Sequence, residues 1–339
     1  MAMQLEARAP EAGRIEIVEA ERRDPGSNEI RVAVERCGIC GSDLHFFHGH
    51  QPVPPHCPGH EISGIVEATG SAARGIKEGD RVAIEPLVRC GTCRHCKAGN
   101  YHLCPTLQIH GLMLPGGMAT SVVVPDYAAH QLPAGLSSEV GALIEPLAVT
   151  VHALRLAGAG RETPVLILGA GSVGLLAVVA ARHLEAPFIA ITGRHPHQRD
   201  LAAALGADQV LDPGEVFSIR EAPRAVIETV GGNAQTVSDA VQVIDRGGTV
   251  AVVGLFDATP EFSPLFMLIK EVRLVGSMIY NAPGGKSDFE VALDIAAERE
   301  ADLRRLVTHT LPLVEAQRAF ETAADKSTGA VKVLIDPTA

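Results

Sequence analysis

The chain has 339 residues, of which 46% are hydrophobic, and a formal net charge of −11 at pH 7. This length provides for a large core and predicts two domains. The acidic balance, without a long run of Lys or Arg, argues against a nucleic-acid-binding surface. Residues 1–6 lack the apolar core of a signal peptide, so we expect a cytoplasmic protein that does not associate with a membrane.

The first part of the chain, up to about residue 140, is rich in strand and loop patterns. Apolar and polar side chains alternate there, with the turn residues 24–26 between two of the runs, and this period of two is typical of antiparallel strands. We therefore expect a β-rich region. Its predicted strands lie at 14–18, 29–34, 61–67, 80–84 and 121–124.

The pattern changes at residue 164, where short aliphatic strands begin to alternate with helices. A predicted strand at 164–168 is followed at once by glycines and by an Ala-rich helix that extends to Leu184. Alternating strands and helices predict a parallel, doubly wound sheet. Further strands are expected at 188–192, 225–227, 249–253, 273–275 and 331–335, and further helices at 199–205, 289–298 and 314–324.

Four cysteines stand in the pattern Cys90-x2-Cys93-x2-Cys96-x7-Cys104. Four thiolates at these spacings can surround one zinc ion with only small loops between them. All-cysteine ligation leaves no position open for a substrate, so we predict a structural zinc. The alternative, four unligated thiols in one exposed loop, would be prone to oxidation. Clustered cysteines without a signal peptide also favour metal over disulfide bonds.

A second metal site is predicted from Cys40 and His60, which are ligands suited to a catalytic zinc with one open position. Glu145 lies in the apolar run 141–147, where a carboxylate is costly to bury unless it is paired or bound to a metal. Glu61, directly after His60, is a second candidate carboxylate. The sequence leaves open whether Glu61, Glu145 or both bind the metal.

A glycine-rich loop predicts a dinucleotide site in the second part of the chain. The run 169–174 matches G-x-G-x-x-G between the predicted strand and helix, which is the context that this motif requires. Its glycines let the backbone approach a pyrophosphate at the helix N-terminus. The cofactor-binding candidates here are Gly169, Gly171, Ser172, Val173 and Gly174.

The end of the second strand of this region indicates which dinucleotide is bound. An acidic residue about twenty positions after the glycines normally binds the ribose 2′-hydroxyl of NAD. This chain has Thr192, Gly193 and Arg194 there, followed by Arg199. A cation without a neighbouring carboxylate suits a 2′-phosphate, so we expect NADP(H) rather than NAD(H). The alternative is an ordinary surface arginine and relaxed specificity.

Taken together, these motifs resemble the zinc-dependent medium-chain alcohol dehydrogenase family. The closest similarity is to its polyol and diol branch, which includes sorbitol, idonate, butanediol and threonine dehydrogenases. The resemblance covers nearly the whole chain and rests on Cys-Gly-Ile-Cys-Gly-Ser-Asp-Leu-His at 37–45, Gly-His-Glu at 59–61 and Glu-Pro-Leu at 145–147. In the family pattern Cys40 is the zinc ligand and Cys37 is not.

The resemblance implies an α/β protein with a GroES-like β-rich catalytic domain and a doubly wound, parallel-sheet Rossmann domain inserted into it. The expected ranges are 1–147 for the first part of the catalytic domain, 148–284 for the Rossmann domain and 285–339 for the C-terminal part of the catalytic domain. It also implies one catalytic and one structural zinc per chain, and a homodimer or homotetramer.

One departure from the polyol branch concerns the substrate. Sorbitol-type members carry an Arg-Tyr pair after the last Rossmann strand, where this chain has Ile279 and Tyr280. A long sugar alcohol would lose one expected donor, so a smaller diol or hydroxyketone becomes an equal candidate. Glu145, Phe46 and Tyr280 are expected to contact the substrate, although core packing accounts for a phenylalanine equally well.

The implied reaction is reversible hydride transfer between a small alcohol or ketone and the nicotinamide. An alcohol oxygen bound to zinc has a lowered pKa. Ser42 is expected to take its proton and to pass it, through the cofactor ribose, toward His45 and solvent. The substrate would be a secondary alcohol: a polyol, a vicinal diol or a hydroxyketone. The alternatives are an NAD-dependent member of the same family and a catalytically silent, zinc-stabilised binding protein of the same fold.

Overall fold

The structure, a computed structural model, describes residues 2–282 and 284–339. These residues form two compact units. The first comprises the described residues up to Glu145, those within Ala282–Gly285, and Val307–Ala339, whereas the second comprises Pro146–Asn281 and Lys286–Leu306. The domain ranges expected from the sequence stay a prediction, because units defined by contacts need not coincide with domains.

The first part of the chain is built mainly from strands. Its strands are β1 Met3–Glu11, β2 Arg14–Glu21, β3 Glu29–Gly38, β4 Glu61–Thr69, β5 Arg81–Ile84, β6 Leu87–Val88, β7 Gln108–Ile109, β8 Ser121–Pro125 and β9 Ala129–Gln131, and its helices are α1 Gly41–Phe47, α2 Arg94–Lys97 and α3 Ser138–Gly141. Period-two alternation predicts strands inside β2, β3, β4 and β8 and an overlap with β5. The same pattern gave no signal for α1, which has only seven residues.

The second part alternates strands and helices. Its helices are α4 Ile144–Leu156, α5 Ser172–His183, α6 Pro196–Ala204, α7 Thr236–Val243, α8 Pro264–Lys270, α9 Asp288–Glu298 and α10 Glu300–Arg304, and its strands are β10 Val165–Leu168, β11 Ile189–Thr192, β12 Gln209–Leu211, β13 Ala225–Glu228, β14 Thr249–Val252 and β15 Arg273–Gly276. β12 was not predicted, because its three residues are too few to show a period.

The strands of the second unit form one six-stranded parallel sheet in the order β12-β11-β10-β13-β14-β15. This is the doubly wound order, in which the chain reverses direction across the sheet between β10 and β13. Its core is apolar and includes Leu166, Ala190, Val226 and Val250. In sheets of this order, ligands bind beside the carboxyl ends of the strands. The predicted Rossmann sheet is thereby confirmed.

The end of the chain returns to the first unit as β16 Val307–Pro312, α11 Ala316–Ala324 and β17 Lys332–Asp336. The sheet order there is β16-β17-β3-β4-β5-β9, and β8 also pairs with β3. Leu334 of β17 and Glu61 of β4 are both register partners of Gly38 in β3. These two pairings bring three distant stretches of the chain to one place at the end of β3.

Among the residues that the structure describes, no helix combines the length and the apolar character needed to cross a membrane.

Candidate metal and cofactor sites

Cys40 and His60 come together because Cys40 closely follows the end of β3 and His60 directly precedes the start of β4, which pairs with β3. β3 ends at Gly38, and β4 begins at its register partner Glu61. The ligand atoms of Cys40, His60 and Glu61 all lie within 4.8 Å of one another. Only glycine fits at the end of β3, since a Cβ at Gly38 would lie 1.9 Å from Glu61 Oε2. The register therefore gathers two predicted ligands and one candidate carboxylate into one cluster.

Asp43 fixes the backbone of Cys40. The N–H of Cys40, at the N-cap of α1, donates a hydrogen bond to Asp43 Oδ2 at 2.9 Å. Asp43 is fully buried, and this burial raises the pKa of its carboxyl to about 6, against the opposing effect of His60. The side chain therefore orients the Cys40 loop from within the protein.

The surroundings of His60 are anionic. Burial disfavours the charged imidazole, but Cys40, Asp43 and Glu145 together raise the pKa of His60 well above its usual value. Glu145, in the first turn of α4, is itself buried. In the described part of the chain, His60 Nδ1 has no hydrogen-bond partner. A thiol, an imidazole and a carboxylate are the donors that zinc prefers, so these residues fit a zinc ion.

Glu61 has a partner that sequence reasoning missed. Lys332 Nζ donates to both carboxylate oxygens of Glu61, at 2.6 Å and 2.7 Å, and to Ile39 O at 3.2 Å. The two charged side chains are 1% and 0% exposed. Burial lowers the pKa of Lys332, but Glu61, Cys40 and Glu145 together raise it above its usual value, so the ammonium keeps its charge. The available signal was a lysine inside the apolar run 331–335, which is costly to bury without a partner.

Ser42, His45 and Phe46 all lie on α1. Ser42 and His45 are three residues apart and share one face of the helix. Ser42 Oγ is buried and has no hydrogen-bond partner among the described residues. The ring of His45 packs edge-on against that of the exposed His50, with 5.8 Å between the ring centroids. Phe46 packs against Phe320 in the core and is 2% exposed, which favours a packing role over the predicted substrate contact.

The predicted four-cysteine cluster is present in the structure. The sulfur atoms of Cys90, Cys93, Cys96 and Cys104 lie within 4.8 Å of one another. The Cys93 N–H donates to Cys90 Sγ at 3.3 Å, and the Cys96 N–H donates to Cys93 Sγ at 3.4 Å. Hydrogen bonds from the backbone of Thr92 and Cys93 lower the pKa of Cys90 to about 5. This favours the thiolate form that binds a metal, and the arrangement fits a closed zinc site.

Arg89, directly before this cluster, is a support that sequence reasoning missed. Its guanidinium lies 4.1 Å from the ring centroid of Tyr101 and 4.7 Å from that of Tyr127. Each contact is a cation–π interaction. The arginine therefore links the start of the cysteine loop to Tyr101 within that loop and to Tyr127 of a neighbouring segment. A single arginine in the sequence carries no signal of such stacking.

The glycine-rich loop leads from β10 into α5 as predicted. Gly169 has a φ of +102°, and a Cβ at Gly174 would lie 1.8 Å from Gly169 O. Gly171 is the N-cap of α5, whose first residues are Ser172 and Val173. Thr192 Oγ1, at the end of β11, accepts a hydrogen bond from the Gly169 N–H at 3.1 Å. The loop is thus tight, and the helix N-terminus that follows is suited to a phosphate.

The two arginines after β11 have different surroundings. Arg194 is exposed, and its guanidinium makes no ion pair with any residue that the structure describes. Arg199 Nη1 donates to Gly193 O at 2.8 Å and to Arg194 O at 3.0 Å, and lies 3.3 Å from Asp212 Oδ2. Arg199 therefore holds the end of β11, which favours a supporting role for it over the predicted phosphate contact.

Tyr280 lies after β15 and is completely buried, with its ring edge-on to Phe289 and 5.7 Å between the centroids. Its neighbour Ile279 has a left-handed φ of +54°. The burial of Tyr280 favours packing for its ring, and its expected contact with a substrate stays a prediction.

Comparison with known proteins gives two family matches. Residues 26–134 match the alcohol dehydrogenase GroES-like domain, and residues 172–298 match the zinc-binding dehydrogenases. Sorbitol dehydrogenase of Arabidopsis thaliana is 33% identical over 92% of this chain and 89% of its own length.

Solved structures show the same similarity. A zinc-binding dehydrogenase from Sinorhizobium meliloti 1021 bound to NADP has a TM-score of 0.90 and 34% identity, over 99% of this chain and 100% of that one. An alcohol dehydrogenase from E. coli CFT073 complexed with NADH has a TM-score of 0.89 and 25% identity, over 99% and 100% of the two chains.

Proposed function

The chain belongs to the zinc-dependent medium-chain alcohol dehydrogenase family, and we propose that it transfers hydride between NADP(H) and a secondary alcohol of the polyol, vicinal-diol or hydroxyketone type. Membership makes it a zinc-dependent oxidoreductase that acts on CH–OH groups of small alcohols with a nicotinamide cofactor. The proposal beyond this concerns the roles of single residues, the choice of NADP and the class of alcohol.

The observation that carries the proposal is the cluster of Cys40 and His60 beside a buried hydroxyl. Their ligand atoms and that of Glu61 lie within 4.8 Å of one another. Ser42 Oγ, two residues after Cys40, is buried without a hydrogen-bond partner in the described part of the chain. Buried hydroxyls are seldom left unpaired, which supports a substrate oxygen as its partner. Zinc held by Cys40 and His60 would lower the pKa of an alcohol toward neutrality.

Ser42 and His45 are proposed to move the alcohol proton. Ser42 Oγ accepts the proton from the substrate hydroxyl as it gives up its own hydroxyl proton, which passes on toward His45 on the same face of α1. His45 is itself partly exposed, and its ring packs against that of the exposed His50, which supports release of the proton to solvent from this imidazole. An imidazole suits this role because it changes charge near neutral pH.

Glu61, Glu145 or both would complete the set of protein ligands. Glu61 is supported by distance, because its oxygen is in the 4.8 Å cluster, although both of its oxygens also accept hydrogen bonds from Lys332. Glu145 is supported by its electrostatic effect on His60, whose pKa it helps to raise. Glu61→Gln and Glu145→Gln separate these cases: loss of bound zinc in one variant identifies that carboxylate as the ligand, and loss in both variants identifies both.

NADP is proposed as the preferred cofactor. The glycine-rich loop supports a dinucleotide, and Arg194 supports a 2′-phosphate because it is exposed and makes no ion pair in the described part of the chain. No carboxylate stands at 192–194 to repel that phosphate. The relatives in complex with NADP and with NADH, respectively, leave both cofactors open for the family.

Arg194→Ala tests this choice. A hydrogen bond to a charged group contributes about 1.5–3 kcal/mol, which corresponds to about one to two decades in affinity. The variant should bind NADP that much more weakly and bind NAD unchanged. Arg161→Ala is a matched control, because Arg161 is an exposed arginine just before β10. It therefore lies at the amino-terminal ends of the parallel strands, whereas Arg194 follows the carboxyl end of β11. Equal efficiency of the wild-type enzyme with NAD and NADP would contradict the proposal.

Introducing an acid at position 193 is a poorer test. A Cβ at Gly193 would lie 2.9 Å from Ala170 Cβ and 3.1 Å from Arg199 Cγ. Gly193→Asp would therefore disturb the strand end as well as the charge.

The class of alcohol is tested by a screen of polyols, vicinal diols, hydroxyketones and simple alcohols with both cofactors, in which reduced cofactor is followed by absorbance. Turnover of the first three classes supports the proposal, and turnover of primary alcohols alone contradicts it. A homodimer or homotetramer is proposed from the family resemblance, and light scattering of the purified protein tests it.

A further inference from the structure

The segment 277–281, directly after β15, contains a backbone conformation that costs energy. Ile279 has a φ of +54°, in the left-handed region where a β-branched side chain is an outlier. Such strain persists only where the surrounding structure enforces it, and it collects at functional sites. Neighbouring contacts must therefore hold the segment 277–281 in this conformation.

Asp288 holds one end of the segment. It is completely buried in the first turn of α9. Its Oδ2 accepts hydrogen bonds from the Asn281 N–H and from His152 Nδ1, both at 2.9 Å. Arg155 forms an ion pair with Oδ1 of the same carboxylate. One buried charge thus joins the segment to α4 and to α9.

The other end and the middle of the segment are held as well. The Ser277 N–H donates to Val252 O, at the end of β14, at 2.9 Å. Tyr280 is completely buried against Phe289, the residue after Asp288. Ile279 therefore lies between two fixed points and cannot relax its φ without breaking a buried contact.

The strand order indicates which part of the dinucleotide this segment meets. In a doubly wound sheet the pyrophosphate lies at the glycine-rich loop and the adenosine ribose at the end of the second strand, which here are the loop after β10 and the end of β11. The nicotinamide half then extends toward the carboxyl ends of β13, β14 and β15. Ser277 Oγ stands at that end, buried and without a hydrogen-bond partner among the described residues.

We propose that Asp288 is a positioning residue for hydride transfer: through Asn281 and Tyr280 it keeps the strained segment in the shape that receives the nicotinamide half of the cofactor. The proposal rests on the nicotinamide chemistry of the proposed function and is independent of the alcohol and of the 2′-phosphate. A purely structural role would affect binding of both halves of the dinucleotide equally. A positioning role predicts that loss of the Asp288 charge weakens binding of the nicotinamide half and leaves binding of the ADP-ribose half unchanged.

Asp288→Asn tests the proposal, because it keeps the shape of the side chain and removes the charge. Binding of the reduced dinucleotide is compared with binding of the matching ADP-ribose fragment, which lacks the nicotinamide. We expect the dinucleotide to bind about tenfold more weakly, as for one lost charged hydrogen bond, and the fragment to bind as before. The rate of hydride transfer should fall roughly tenfold to a hundredfold, as for a small misplacement of a reacting group.

Asp294→Asn is the matched control, because it removes a partly exposed carboxylate from the same helix. It should change neither the affinity of the dinucleotide relative to the ADP-ribose fragment nor the rate of hydride transfer. The proposal would be overturned by a folded Asp288→Asn enzyme that keeps the wild-type relative affinity for dinucleotide and fragment and the wild-type rate of hydride transfer.

Ile279→Gly provides a second test of the proposal, which applies even if Asp288→Asn does not fold. Glycine adopts positive φ without steric cost, so the melting temperature should stay the same or rise, while the looser segment slows hydride transfer. An unchanged rate would overturn the proposal. If the wild-type protein binds the dinucleotide but turns over no polyol, diol or hydroxyketone, the proposed substrate class is wrong. The affinity of the dinucleotide relative to the ADP-ribose fragment still tests the role of Asp288 in that case.

Discussion

The two cysteine-containing candidate metal sites of the first unit differ in where their ligands come from. The Cys90 cluster takes four like ligands from residues 90–104, and backbone N–H groups of the same loop donate to its sulfurs. The Cys40 cluster takes unlike ligands from the ends of two strands. Its carboxylate Glu61 is paired with Lys332, 271 residues away in the chain.

We propose that this difference separates a structural site, which closes a loop, from a catalytic site. Four thiolates from one loop leave zinc no open position, so the metal contributes to folding. The Cys40 cluster instead places a half-buried thiol beside a buried imidazole and a buried carboxylate. Burying a charge carries a desolvation cost, which the fold offsets with the Glu61–Lys332 pair. In the proposed function this site keeps one position for substrate.

A mild chelator should produce the largest effect, complete loss of activity without loss of fold. In the proposed function the Cys40 site has an exchangeable position, whereas a site of four thiolates is closed. We expect about two zinc ions per chain in active protein, and one after mild chelation, with unchanged circular dichroism. Active protein with at most one zinc per chain would contradict the two-site assignment.

Cys40→Ser and His60→Ala should each lower turnover by about a thousandfold or more, since a catalytic metal contributes several kcal/mol and 1.36 kcal/mol is a factor of ten in rate. Dinucleotide binding should persist, because the glycine-rich loop is in the second unit. Cys57→Ala is the control, as Cys57 is another buried thiol of the first unit outside the cluster. Near-normal turnover in either ligand variant would remove the catalytic zinc from this account.

Lys332→Met should lower the free energy of unfolding by about 3–5 kcal/mol, because it leaves the carboxylate of Glu61 buried without its partner. Adding Glu61→Gln should recover most of that loss, since the unpaired charge is then gone. Urea denaturation of the two single variants and the double variant measures the coupling. A loss below about 1 kcal/mol, the range of exposed ion pairs, would show that the Glu61–Lys332 pair does not stabilise the fold as a buried pair.

Ser42→Ala should have the smallest effect of the four, a fall in turnover of about a hundredfold, the lower end of general acid–base contributions. Zinc content and dinucleotide affinity should stay at wild-type values, because Ser42 is not among the clustered ligand atoms. Metal analysis beside steady-state kinetics checks both points. Wild-type turnover in this variant would mean that the proton leaves by another route.

Much of the fold was predictable from the sequence because its signals are local. The strands within β2, β3, β4 and β8 follow from period-two alternation, and the parallel sheet follows from alternating strands and helices. The Cys90 cluster is also local, since its spacing alone brings four sulfur atoms together. The glycine-rich loop was predictable for the same reason: strand, glycines and helix are adjacent in the chain.

Other parts of the candidate sites depend on distant contacts. That Lys332 neutralises Glu61 follows from β17 pairing with β3 and β3 with β4, a register that no local pattern encodes. The orientation of Phe46 into the core, against Phe320, likewise depends on where α11 packs. Residue types at these positions are compatible with several roles, and only packing selects among them.

The amino-acid sequence by itself thus determined the chemistry that is available: two sets of zinc ligands, a dinucleotide loop, and an arginine where NAD-binding chains carry an acid. Only the tertiary structure decided which charges are paired and which polar groups are left open. It paired Glu61 with Lys332, engaged Arg199 at the strand end, and held Ile279 at a strained φ beside Asp288. The physical reason is that ligand spacing is a property of short chain segments, whereas desolvation and strain arise where segments far apart in the chain meet.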